Sequence, residues 1–222
     1  CGSASPRTAG TPASAQVTTV TSSGLPPSST PMTGASCAIR PMISPRKVKP
    51  STSSTALVSG GATTNTLRFT SGGALTFNAT TPGTLTLESG GILIASTAGA
   101  TSIGSATTRG TLTSSTGEVI VNQQSSSGPL TIHSVISGTS LTVSGTGTVT
   151  LTATNTFTGN LVISNGAKVA VTANVNLGGA TSVITLNGGT LAQSSGALTF
   201  APSTDKNPAH TIYIGAAGGT LS

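Results

Sequence analysis

Residues 145–160 read GTGTVTLTATNTFTGN, with threonine at every even position from Thr146 to Thr158. Period two is the mark of extended backbone with one face buried, so the threonines share one side and Gly147, Val149, Leu151, Ala153, Asn155 and Phe157 the other. As one flat strand, Thr146 to Thr158 would run roughly 43 Å, and ordinary strands hold only about 3–10 residues. The chain must bend. We expect one strand over Thr148 to Thr152, with Val149 and Leu151 inward, a corner over Asn155 to Gly159, and a second strand over Leu161 to Ser164.

The same two-residue pattern recurs outward from this stretch. Pairs of large apolar residues separated by one small or polar residue stand at Leu67/Phe69, Leu75/Phe77, Leu85/Leu87, Ile92/Ile94, Val119/Val121, Leu130/Ile132 and Leu141/Val143 before it. After it come Leu161/Ile163, Val169/Val171, Ile184/Leu186, Leu198/Phe200 and Ile212/Ile214. Gly-Gly pairs punctuate them, as in GGALTF, GGILIA, GGTLAQ and GGTLS, which are turn-then-strand units.

Spacing converts the pattern into an architecture. Leu141 to Leu161 and Val149 to Val169 are 20 positions apart, Leu130 to Val149 is 19 and Leu67 to Leu85 is 18. A repeat of about 20 residues with two short strands suits one coil of a β-solenoid, each strand pairing in parallel with its equivalent in the next coil. We therefore expect an all-β, right-handed parallel β-helix over residues 56–222. Residues 95–117 lack a clear pair and are expected to loop out, and GGTLS at the C-terminal end is expected to be the start of a strand cut part-way. An antiparallel sandwich is the competing fold, in which Asn165–Gly166 or Asn187–Gly188 would close a hairpin, but sandwich strands have no reason to recur at a fixed spacing.

Composition agrees with a β-rich chain. Of 222 residues only 5% are charged and 2% aromatic, with 29 glycines, so helix formers are scarce and β-branched residues dominate. The net charge of +6 is mostly a property of the first 50 residues, which carry Arg7, Arg40, Arg46, Lys47 and Lys49 without an acid. They also hold eight of the twelve prolines and both cysteines, Cys1 and Cys37. Residues 1–55 are expected to be a disordered basic tail or linker. Cys1 fits either a lipidated or a merely truncated N-terminus. The run Arg46-Lys47-Val48-Lys49 has no interleaved aromatic and no binding fold, so no nucleic-acid partner is expected.

At this point GTGTVTLTATNTFTGNLVISNGAKV resembles the passenger-associated transport repeat, the autotransporter-associated β-strand repeat of bacterial surface proteins. Gly145, Gly147, Val149, Leu151, Asn155, Phe157, Gly159, Ile163 and Gly166 fall on its pattern. Three positions depart: Ala153 stands where Gly is common, Phe157 where Tyr is usual and Lys168 where Leu is frequent. The resemblance implies a secreted or surface-displayed β-helical passenger segment attached to the bacterial outer membrane. It also implies an outer-membrane β-barrel in the remainder of a larger chain. It transfers no catalytic residue.

The side-chain inventory points the same way. The three carboxylates, Glu88, Glu118 and Asp205, are at least 30 positions apart, and the pairing needed for glycoside hydrolysis is not evident. His133 and His210 have no G-x-S-x-G elbow beside them and are expected to be solvated. Calcium-binding repeats need regular aspartates, which one Asp cannot supply, and no metal or cofactor is expected. An ice-binding solenoid would keep Thr on the same outward positions of successive coils. Here Thr131 and His133 precede Thr148, Thr150 and Thr152, and Lys168 and Ala170 follow them. The expectation is a non-catalytic structural or adhesive segment, a stiff stalk or contact surface whose partner is extracellular matrix, carbohydrate or another cell-surface ligand. An extracellular β-helical carbohydrate-active enzyme is the alternative, and ice binding the lesser one.

Overall fold

The computed structural model of the chain describes residues 55–56, 60–195 and 210–222. Most of the expected tail, both cysteines, the basic run, Leu198/Phe200 and Asp205 lie outside them. The described residues form a parallel β-helix of three stacked sheets. The first sheet stacks eight strands: Thr55–Ala56, Gly73–Thr76, Thr101–Ile103, Leu130–Ile132, Thr148–Leu151, Lys168–Val171, Gly189–Gln193 and Gly219–Leu221. The second stacks seven: Leu67–Phe69, Gly91–Ile94, Glu118–Gln123, Ser140–Gly145, Asn160–Ser164, Val183–Asn187 and Thr211–Ile214. The third holds four: Ala62–Thr64, Thr84–Leu87, Thr111–Ser114 and Val135–Ile136.

Every strand pair within these sheets is parallel and consecutive in coil order, because the chain winds rather than doubling back. Leu130 pairs with Val149, Val149 with Val169 and Leu141 with Leu161, so the 19- and 20-residue spacings are coil lengths. The inward residues stack into columns. Val119, Leu141, Leu161 and Ile184 form one, and Ile103, Ile132, Leu151 and Val171 another, all fully buried. Each apolar pair from Leu67/Phe69 to Ile184/Leu186 points inward. Burying such aliphatic columns removes apolar surface from water on both faces of each coil, so neighbouring coils stabilise one another.

Two expectations need correction, and the turn that the competing sandwich would have used as a hairpin serves another purpose. Leu67 and Leu85 are not equivalents one coil apart. Leu67 pairs with Ile92 in the second sheet, and Leu85 pairs with Ala62 and Leu112 in the third. The N-terminal coils thus carry three strands, and they are longer: Thr101 lies 29 positions before its partner Leu130. Residues 95–117 do not loop out either. Thr101–Ile103 and Thr111–Ser114 occupy regular places in the first and third sheets, their inward partners being Thr101 beside Ile103 and Ser114 beside Leu112. Asn165–Gly166 has positive φ at both residues, +55° and +83°, the signature of a hairpin turn, yet it joins strands of different sheets and closes no hairpin.

Candidate functional site

The nine motif residues make up one coil, and each has a structural task. Val149, Leu151 and Ile163 lie in the inner columns. Gly145 and Gly147 bring the chain hard against the coil below, where a Cβ would come within 2.2 Å of Gln123 O and 2.3 Å of Ser125 O respectively. A Cβ on Gly159 would stand 2.6 Å from Thr139 O, and Gly166 takes the left-handed φ of the turn.

Asn155 and Phe157 hold the corner. Beyond Val135–Ile136 the third side of the coil has no regular strand, but burial still alternates: Ala153, Asn155 and Phe157 are buried, and Thr154, Thr156 and Thr158 exposed. Asn155 Oδ1 accepts from Ile136 N at 2.8 Å, and its Nδ2 donates to Asn176 O at 2.6 Å. One coil further on, Asn176 Nδ2 donates to Ala153 O at 2.8 Å while its Oδ1 accepts from the amides of Thr172 and Ala173. Side-chain amides therefore reinforce the irregular backbone bonds of this side, such as Thr156 N to Ile136 O at 2.9 Å and Gly179 N to Phe157 O at 2.8 Å, each amide carrying the donor and acceptor that a peptide group would supply. The Phe157 ring lies against Gly178, whose missing Cβ makes the room.

A cleft opens where the second sheet turns into the first. It has a volume of about 490 Å³ and is lined by Ser125, Ser126, Ser127, Gly128, Pro129, Thr146, Gly147, Thr148 and Thr150. Gln123, fully buried beneath, fixes its wall. Its Nε2 donates to Gly128 O at 3.1 Å and Thr148 O at 3.3 Å, and its Oε1 accepts from Ser125 N at 3.0 Å. Ser125 Oγ donates to Ala98 O one coil below and accepts from Ser127 N. The hydroxyls of Ser126, Ser127, Thr146, Thr148 and Thr150 make no hydrogen bond to the protein. Some outward hydroxyls elsewhere are engaged: Thr113 Oγ1 donates to Ser137 O, Thr142 Oγ1 to Glu118 Oε1 and Thr181 Oγ1 to Thr158 O.

Besides the exposed Arg68, Lys168 and Tyr213, the described titratable groups fall into three places. Ile120 N donates to Gly90 O, which stations Glu118 one coil above the turn that carries the exposed Glu88. His133 Nδ1 shares a 2.8 Å hydrogen bond with Thr152 Oγ1, and Arg109 Nη1 donates to Thr152 O at 2.8 Å. Burial, and secondarily the nearby Arg109 charge, hold the His133 pKa below its usual value. His210, expected to be solvated, is buried: its Nδ1 faces Ser182 Oγ at 2.9 Å and Ser182 O at 3.1 Å, and its Nε2 faces Asn174 O at 3.2 Å. Ser182 Oγ also donates to Leu177 O and is itself buried, so this pair braces a corner and presents nothing to solvent.

Spacing alone could place Gly145, Asn155 and Phe157 on a coil, but not the cleft. Its wall comes from Gln123 and Ser125, one coil earlier, and a serine run carries no periodic signal. Among the described residues no three His, Cys, Asp or Glu side chains gather as a metal site, and no helix is long and apolar enough to cross a membrane.

Fold and surface together define a parallel β-helical solenoid with an enclosed aliphatic core and a polar, hydroxyl-rich exterior. Over 75 residues, 33% of its length, the chain is 43% identical to the adhesin BmaC autotransporter of Brucella suis biovar 1 (strain 1330). The match covers 2% of that much longer protein. No family model and no solved structure matches the chain.

Proposed function

We propose that the chain is a non-catalytic segment of a surface-displayed, autotransporter-like passenger, built of passenger-associated repeats and working as a stiff stalk that carries a contact surface. The observation behind it is the unbroken stacking. Seven intervals between the eight strands of the first sheet carry the solenoid roughly 33 Å at ordinary strand separation, over a core with no interruption among the described coils. The similarity to an autotransporter adhesin supports the surface and adhesive parts of the reading. In this reading the partner is an extracellular-matrix, carbohydrate or other cell-surface ligand, and the residues before Thr55, where the first strand begins, serve as a linker to the helix.

Small-angle scattering from the purified chain, with binding to immobilised matrix proteins and glycans, tests the proposal. A rod-like particle that retains one of these ligands is the expected result, and a rod that retains none would leave a spacer without a contact surface. The placement of Glu88 and Glu118 at one corner of neighbouring coils favours the carbohydrate-active enzyme as the second reading. Release of new reducing ends from a polysaccharide, abolished by Glu118→Gln, would overturn the non-catalytic assignment.

A further inference from the structure

The cleft at the turn between the second and first sheets combines a preformed shape with unused hydrogen-bonding capacity. Its five free hydroxyls offer donors and acceptors together, and no internal bond has to be broken before a ligand can use them. Gln123 and Ser125 hold the loop behind them from below, so little ordering cost accompanies binding. Gly145 and Gly147 seat the chain directly on the coil below, since a side chain at either position would meet its backbone.

The lining also excludes other ligand classes. It contains no charge, no aromatic ring and no long aliphatic side chain, whereas protein partners dock through Trp, Tyr and Arg anchors. A phosphate or sulfate would require cations or a cluster of amides. Lys168 pairs with Thr148 one coil on, is exposed and lies outside the lining. What remains is a ligand that is itself hydroxyl-rich and has small apolar faces to lie on Pro129 and the threonine methyls.

The column running out of the cleft extends the same chemistry. Thr150 pairs with Thr131 and Thr131 with Ser102, all outward and with free hydroxyls, at roughly 4.8 Å per coil. That step is comparable to the length of one pyranose residue. In the opposite direction the column becomes Ala170 and Ala192 and the hydroxyls end. We propose that the cleft binds an oligosaccharide, seated against Ser126, Ser127, Thr146, Thr148 and Thr150 and continuing along the solenoid axis over Thr131 and Ser102. The proposal rests on the contact-surface reading above and names its ligand class.

The test is a panel of neutral and uronic-acid oligosaccharides presented to the full chain, with titration calorimetry on whatever is retained. Thr148→Val combined with Thr150→Val keeps the β-branched shape and removes two hydroxyls. Binding should weaken by about tenfold or more, as expected for two lost hydrogen bonds, with an unchanged unfolding midpoint. Ser126→Ala with Ser127→Ala, on the loop instead of the strand, should weaken it similarly. Thr190→Val with Thr220→Val, in the first sheet but beyond the cleft, should leave affinity unchanged. The proposal is overturned if no saccharide is retained, or if the cleft variants bind as well as the parent. Retention of a matrix protein without any saccharide would sink the cleft assignment and leave the contact surface standing, while retention of neither would sink both.

Discussion

Asn155→Ala isolates what the side-chain ladder contributes. The substitution removes an acceptor from Ile136 N and a donor from Asn176 O, both bonds being buried. Leaving a buried polar group without a partner costs about 1–3 kcal/mol, so two such groups should cost about 2–5 kcal/mol once partial relaxation is allowed. Thr154→Ala and Thr156→Ala, on either side of Asn155, remove exposed side chains and should stay within about 0.5 kcal/mol of the parent. Urea unfolding followed by circular dichroism measures all three, with an unchanged slope showing that the midpoint shift reports stability. A loss below about 0.5 kcal/mol for Asn155→Ala, or one no larger than its threonine neighbours give, would refute the claim that side-chain amides hold the coils together at this corner.

Phe157→Ala empties the fully buried position over Gly178 and should cost about 3–5 kcal/mol in the same assay. Gly147→Ala and Gly166→Ala separate collision from backbone strain. At Gly147 the new Cβ meets Ser125 O at 2.3 Å, whereas at Gly166 it lies 3.6 Å from its nearest neighbour and only the left-handed φ opposes it. Gly166→Ala should therefore cost about 1 kcal/mol and Gly147→Ala clearly more, and the reverse order would refute the steric account. For His133 the folded state favours the neutral ring, so its contribution to stability is complete above 6.5, the ordinary pKa. That contribution is lost as pH falls through 6.5 towards the lower folded value, because the unfolded chain then binds the proton more readily. Arg109→Gln should raise the His133 pKa in an NMR titration, and no change would deny the electrostatic part of the cause.

Much of the fold is legible because the core is built from a two-residue rhythm of large aliphatic side chains. Val149, Val169, Leu141 and Leu161 announce both their inward direction and their partners. The rhythm fails to announce a coil when an inward position is filled by a hydroxyl residue, as at Thr101 and Ser114, and those strands escape a search for apolar pairs. It also cannot assign a strand to one of three sheets, which is why Leu67 and Leu85 look equivalent. Asn165–Gly166 misleads for a different reason: the sequence specifies the local backbone turn but not whether the strands that follow are paired. His210 is hidden because its partners, Ser182 and Asn174, arrive from 28 and 36 positions away.

The third sheet ends at Val135–Ile136, and that has a mechanical consequence. Hydrogen bonds between coils run along the solenoid axis, so tension applied end to end falls on them directly. Within one junction the bonds share the load, while successive junctions carry the same load in turn, and the weakest one sets the breaking force. Junctions before residue 136 distribute it over three ladders. Those after it rely on two, together with irregular corner bonds, among them Thr156 N to Ile136 O, Gly179 N to Phe157 O and those of the two asparagine amides. A chain pulled from its ends should rupture first in the C-terminal half, with Asn155 and Asn176 among the last attachments along that side to give way.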